Sequence, residues 1–285
     1  MNIHRTFGEK LFDVVNYAFL ALVALLTFLP FVYVVVASFG SDNQVWPTHY
    51  SLGAYQYIFG TRTFLRSLGV SAYITIIGTF LSLAATSLMS YSLSYKQPPG
   101  RSKFMLLILF TMLFQGGLIP TYFIVKELNM IDTLWALMIP GLISAFNLII
   151  MRDFFSSVPF ELIESAKIDG AHELTVLIRI VLPLSLPSLA AFGLFYAVGI
   201  WNQYFSAIMY INSPEKWPVQ VLLRQIVVLA SGGLGDSGSS GETVAFYGQS
   251  VKMAVIVVST IPILLVYPFL QKHFAKGVLM GSVKG

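Results

Sequence analysis

The chain contains no cysteine and very little charge. Without Cys there are no disulfides, zinc–thiolate sites or cysteine nucleophiles. Charged residues make up 11% of the 285 residues, whereas a soluble chain averages about 25%. Hydrophobic residues make up 56%, and the mean hydropathy is +0.76. That leaves too few polar side chains to cover a water-exposed globule of this size. The same numbers exclude a disordered chain, which needs low hydrophobicity and high charge. No H-E-x-x-H is present, and the four histidines (His4, His49, His172, His273) are scattered, so a metalloprotease helix is absent. There is no G-x-x-x-x-G-K-[ST] either. The chain therefore lacks a phosphate-cradling loop of its own, and any ATP that drives it must be bound by another polypeptide.

Six long apolar runs fill most of the chain: Val14–Phe39, Leu68–Tyr95, Phe104–Val125, Thr133–Met151, Pro187–Ile211 and Met253–Gln271. A hydrocarbon core of roughly 30 Å asks about 20 such residues of a helix. The expectation is an all-α integral membrane protein with six transmembrane helices. The first run is too long for a signal-peptide core and is read as a retained helix. None of the six contains Asp, Glu, Lys, Arg or His. Proton relays, voltage sensors and pumps use such groups at membrane depth, so their absence argues against all three. A sodium site built from carbonyls and hydroxyls needs no charge, and an ion-coupled or facilitative carrier stays open as the alternative.

Lys and Arg divide unevenly between the two sides. Eleven fall with the termini, the loop after run two and the loop after run four, and six fall on the opposite side. By the positive-inside rule both termini are cytoplasmic. The domain expectation is a cytoplasmic segment 1–13, a permease domain 14–271 and a cytoplasmic tail 272–285. Two loops are long: 152–186 inside and 212–252 outside. The outer one carries a Gly/Ser stretch, residues 231–241, that is flexible by composition.

The inner loop carries the strongest signal. Pro159 suits the first turn of a helix. Glu161 and Glu164 lie where the helix dipole favours negative charge, and Gly170 fits a left-handed C-terminal cap. These predict a short helix over 160–169. Ala171, Leu174, Leu177, Ile178 and Val181 then recur at helical spacing and predict a second helix with one apolar stripe.

Glu164-Ser165-Ala166, Gly170 and Ile180-Val-Leu-Pro183, at their spacing, resemble the E-A-A-x3-G-x9-I-x-L-P signature of ABC-importer permeases, with Ser165 replacing the first Ala. Leu118-Ile-Pro-Thr-Tyr122, Trp201-Asn202 and the tail 276–285 resemble the carbohydrate branch of the binding-protein-dependent transport family, nearest to maltose-type second permeases of oligosaccharide importers. The resemblance implies a type I importer permease in a bacterial cytoplasmic membrane, itself without catalytic residues, metal or cofactor. ATP and Mg would sit on a partner ATPase. Its partners would be a second, different permease chain, two ATPase subunits, an extracytoplasmic solute-binding protein and an oligosaccharide, with no nucleic acid. By position, Glu164, Ser165, Ala166, Asp169 and Gly170 would form the coupling helix docked on the ATPase, with Ile180, Leu182 and Pro183 anchoring the segment after it. Gly281, Lys284 and Gly285 would make a second ATPase contact. Gly232, Gly233, Gly235 and Asp236 would meet the binding protein.

Polar side chains inside spans face other helices or a water-filled path. The candidates for a substrate path are Gln115, Tyr122, Asn147, Trp201, Asn202, Gln203 and Tyr204. Aromatic rings stack on sugars and amides pair with hydroxyls. Interhelical hydrogen bonding is the competing role for Asn147 and Asn202, and packing is the competing role for Trp201. Gly116, Gly117 and Pro120 interrupt run three and predict a kink.

Overall fold

The computed structural model describes residues 7–41, 46–95, 100–230, 248–266 and 268. Among these every regular element is helical, apart from one antiparallel bridge between Gly40 and Tyr50. The chain divides into two compact units, Met1–Arg62 with Leu223–Thr260, and Thr63–Leu222 with Ile261–Gly285.

The first unit is led by α1, Phe7–Ser38. Its 32 residues make a rod roughly 48 Å long. The most apolar stretch of α1 is wholly exposed, as expected of a helix whose solvent is lipid. The end of α1 is tied to α2, Gly53–Gly60, by a 2.6 Å hydrogen bond between the hydroxyls of Ser38 and Tyr55.

The second unit starts on α3, Arg62–Ser94. Its buried face recurs at three- and four-residue intervals as Ser67, Ser71, Ile74, Gly78, Ser82, Thr86 and Ser90. Small residues let helices approach closely in lipid, and hydroxyls link them. Ser71 Oγ accepts the Val219 N–H at 2.8 Å, and the Ser90 hydroxyl donates to the Leu148 carbonyl at 3.1 Å.

Run three is two helices, α4 (Arg101–Leu113) and α5 (Leu118–Glu127), set at 115° to each other. This is a full break, sharper than the expected kink. Gly117 takes φ +84° at the join, a conformation that costs glycine nothing. Pro120 falls in the first turn of α5, where no intrahelical N–H is missed.

Run four departs from an unbroken helix. Leu134–Leu137 is a 3₁₀ turn, the chain turns through Pro140 and Gly141, and α6 begins only at Ala145 and ends at Ser156. Twelve residues rise roughly 18 Å, short of a bilayer. Ser144 caps α6, its hydroxyl accepting the Asn147 N–H at 3.4 Å. Run five is α10 (Leu186–Trp201), a break at 202–204, and α11 (Phe205–Tyr210). Among the described residues, α1, α3 and a final helix Gly248–Val266 are long and apolar enough to cross a membrane. Counting each sharply bent pair as one crossing raises the number to as many as five. Apolar content therefore marks where the chain meets lipid, while Gly, Pro and Ser within the runs decide where helices stop.

Candidate functional site

Between α6 and α10 lies the segment that carries the spaced signature. Pro159 sits at the N-cap, in an extended conformation, of α7 (Phe160–Ile168). The helix ends as a Schellman motif. The Ala171 N–H reaches the Ala166 carbonyl at 2.9 Å, and the Gly170 N–H reaches the Lys167 carbonyl at 3.0 Å. Gly170 takes φ +83°. Glu164, Ser165, Asp169 and Gly170 are exposed and Ala166 is half-buried. Ile163 turns inward.

The second half is not the single striped helix expected. Four residues of α8 (Glu173–Val176) run into a π-helical turn, Leu177–Val181, and then α9, Leu182–Leu184. The wider π turn rotates the buried face, as an inserted residue does. Val176, Leu177 and Val181 are buried, whereas Leu174 and Ile178 are each 61% exposed, which corrects the predicted stripe. Val176, Leu177 and Val181 join Tyr91, Met151, Phe155, Ile163 and Phe192 in one apolar core, with Ile180, Leu182 and Ala166 packed against it. Pro183 is exposed. The chain then bends by 87° into α10.

A second feature is a cavity of about 690 Å³, whose lining includes Thr121, Ser144, Asn147, Tyr196, Gln203, Ser206 and Tyr210. Among the described residues, no Asp, Glu, Lys, Arg or His lines it. Two expected path residues, Asn147 and Gln203, are brought to this wall. Gln203 donates to the Leu137 carbonyl at 2.9 Å. The other five are placed elsewhere. Gln115 is exposed at the α4–α5 break. Tyr122 stacks on Tyr210, with ring centroids 6.2 Å apart. Trp201 lines a separate apolar pocket beside Thr75 and Pro262. Asn202 accepts from Gln220 at 3.5 Å, and Tyr204 packs on the core around Ile74 and Ala207. With Thr121, Ser144, Ser206 and Tyr210, Tyr196 is one of the wall residues that sequence reasoning missed. Its hydroxyl accepts the Ser144 N–H at 3.0 Å and shares a 2.7 Å hydrogen bond with Thr86. A tyrosine inside an apolar run gives no sign of which carbonyl or hydroxyl it will meet.

Asp132 pins two walls of this cavity together. It adopts φ +59°, a region that Asp tolerates better than most residues. Its N–H donates to the Tyr210 carbonyl at 2.7 Å. Its carboxylate accepts from the Ser213 hydroxyl at 2.6 Å, the Ser213 N–H at 2.9 Å and the Lys216 ammonium at 3.0 Å. These bonds, the Ser213 hydroxyl first, hold the carboxyl well below its usual range. A depressed folded-state pKa stabilises fully above the unfolded value of 3.8 and is lost as pH falls toward the folded value. Asp132→Asn is therefore expected to lower the melting temperature in detergent equally at pH 7 and pH 5, with the gap closing only below about pH 3.8. Identical melting of the two proteins at pH 7 would contradict this.

The tail residues Gly281, Lys284 and Gly285 and the loop residues Gly232, Gly233, Gly235 and Asp236 lie outside the described residues.

Residues 102–280 match the family described as binding-protein-dependent transport system inner membrane component, and the chain belongs to that family. It is 53% identical to the polygalacturonan/rhamnogalacturonan transport system permease protein YtcP of Bacillus subtilis (strain 168), covering 97% of this chain and 99% of that one. It is 49% identical to protein LplC of the same organism, over 99% and 98%. Among solved structures, a bacterial ABC transporter involved in the import of the acidic polysaccharide alginate superimposes with a TM-score of 0.87 at 30% identity, covering 96% of this chain and 100% of that chain. The resemblance drawn from residues 118–122, 164–183, 201–202 and 276–285 thus holds over nearly the whole length, and the protein is a multi-pass membrane component of a transport system. The ion-coupled carrier is left without support.

Proposed function

We propose that the chain is a non-catalytic permease subunit of an ATP-driven, binding-protein-dependent importer of oligosaccharides, in particular acidic plant-wall oligosaccharides. In this reading residues 14–271 form half of a translocation path crossing the membrane six times, with segments 1–13 and 272–285 on the cytoplasmic side. A second permease, two ATPases holding ATP and Mg, and an external binding protein complete the assembly. The tail residues 281–285 would touch the ATPase, and the loop 231–241 the binding protein.

The observation that carries the reading is the 160–183 segment. A short helix with an exposed outer face, capped by a left-handed glycine and backed by a core shared with α3, α6 and α10, is suited to receive a push and pass it on as a rigid body. Similarity to a polygalacturonan/rhamnogalacturonan permease, 53% identical over 97% of this chain, supports the sugar class. The uncharged cavity suits hydroxyl groups, so the counter-charge for a uronate carboxylate would come from another chain.

A photo-crosslinker at Ser165 tests the reading. In the purified assembly it is expected to yield an adduct with an ATPase, and a second permease should co-purify. Adducts with lipid or water alone, while the assembly still transports, would overturn the docking role.

A further inference from the structure

We propose that Glu173 is a positioning residue of the transport cycle: its carboxylate clamps the 160–183 segment to the end of α3, so that displacement of α7 is delivered to that helix. The proposal rests on the coupling reading above. Side chains from both elements converge on this carboxylate. The Tyr91 hydroxyl donates to Oε2 at 2.7 Å, and the Tyr95 hydroxyl, 3.3 Å from the same oxygen, shares its one proton between Oε2 and the Tyr91 oxygen. Lys167, in the last turn of α7, places its Nζ 2.6 Å from Oε1 and 4.8 Å from the centre of the Tyr95 ring. Tyr91 and Tyr95 also share a hydrogen bond, and their rings meet edge-on at 5.1 Å.

The apolar core beneath this cluster holds α7 and α3 together but supplies no directional bond between them. A charge-assisted hydrogen bond is short and directional, and it fixes register as well as proximity. Glu173 is 59% exposed in its side chain, so its ion pair contributes little to stability. Its use lies in geometry: Tyr91 belongs to α3, Lys167 belongs to α7, and Glu173 opens α8. Burial raises the Glu173 carboxyl, but hydrogen bonds from Lys167 and Tyr91 outweigh it and leave the group below its ordinary value. The bridge is therefore ionised throughout the neutral range.

The test uses the complete assembly in vesicles, with its binding protein and a galacturonate oligosaccharide as the transported probe. Two quantities are read: sugar moved per ATP hydrolysed, and crosslinking from Ser165 to the ATPase. Glu173→Ala and Tyr91→Phe are each expected to lower sugar moved per ATP by about fivefold or more, the low end of a coupling between two sites. Crosslinking should be unchanged. Glu173→Gln keeps an acceptor for Tyr91 but loses the ion pair with Lys167, so its coupling should fall between that of Glu173→Ala and the unaltered protein. The Glu173→Ala/Tyr91→Phe pair should fall no further than Glu173→Ala alone, because both remove one contact. If Tyr91→Phe fails to assemble, Lys167→Met cuts the tie from its exposed side. An unchanged ratio in Glu173→Ala with crosslinking intact overturns the clamp alone, as do independent, multiplying losses in the double variant. Absence of the Ser165 crosslink in the unaltered protein overturns the coupling reading and the clamp with it.

Discussion

Gly170→Val is expected to cut ATP-driven uptake about tenfold while ATPase activity continues and the protein stays in the membrane. The reason is backbone, not bulk. A Cβ built at Gly170 meets nothing within 4 Å, so a side chain has room. The residue is held at φ +83°, where an L-residue costs about 1–2 kcal/mol and a β-branched one sits worst. That energy is a factor of about 5 to 30 in the ratio of wound to unwound helix ends. Unwinding frees the Ala166 and Lys167 carbonyls that the Schellman motif occupies and disperses the exposed Glu164, Ser165 and Asp169. Gly170→Asn supplies the control, because Asn visits the left-handed region readily and should keep most of the uptake. Parallel assays of uptake and ATP hydrolysis in reconstituted vesicles decide it. Equal uptake by the Val variant and the unaltered protein would remove Gly170 from the mechanism.

The second large effect is expected at Tyr196→Phe. The tyrosine is 6% exposed and Thr86 is fully buried. Its hydroxyl joins α3 through Thr86, α10 through its own backbone and the start of α6 through the Ser144 N–H. Deleting one oxygen leaves both partners without this bond, and a buried polar group left unpaired costs about 1–3 kcal/mol. The melting temperature in detergent should drop accordingly. Adding Thr86→Val to Tyr196→Phe should cost less than the two single changes combined, by about 0.5 kcal/mol or more, since one shared bond is counted twice in the singles. Because Tyr196 lines the cavity, the loosened α6 start should also weaken uptake of limiting sugar. Wild-type melting by Tyr196→Phe would show that the link carries no load.

Much of the site was legible in the chain because its signals are local. Pro159, Glu161 and Gly170 mark a helix start and stop through their own backbone and charge preferences, and α7 runs from Phe160 to Ile168 as those signals require. The Gly116–Gly117 and Pro120 interruption likewise marked run three for a kink, though not for the full break of 115°. The π turn at Leu177–Val181 was invisible. Nothing in Leu-Ile-Arg-Ile-Val asks for the i→i+5 bonding of a π turn, and the register is set by what Val176 and Val181 bury against Tyr91 and Phe192. The cavity wall was only partly legible for the same reason. Asn147 and Gln203 stand out as amides in apolar surroundings, but Trp201 and Tyr204, equally conspicuous as letters, are turned to other neighbours.

The amino-acid sequence by itself determined that this protein lives in lipid, that it carries no G-x-x-x-x-G-K-[ST] loop, and that one segment outside the apolar runs bears a spaced signature. Composition and near-neighbour spacing are properties of the chain, and the bilayer reads them one helix at a time. Only the tertiary structure decided which apolar run stays unbroken, which hydroxyls meet across α3, and that Glu173 and Asp132 each tie distant segments together. Those choices depend on contacts between residues tens to more than a hundred positions apart, such as Thr86 with Tyr196 and Tyr91 with Glu173. Directional hydrogen bonds of that kind exist only once helix packing has brought both partners within about 3 Å.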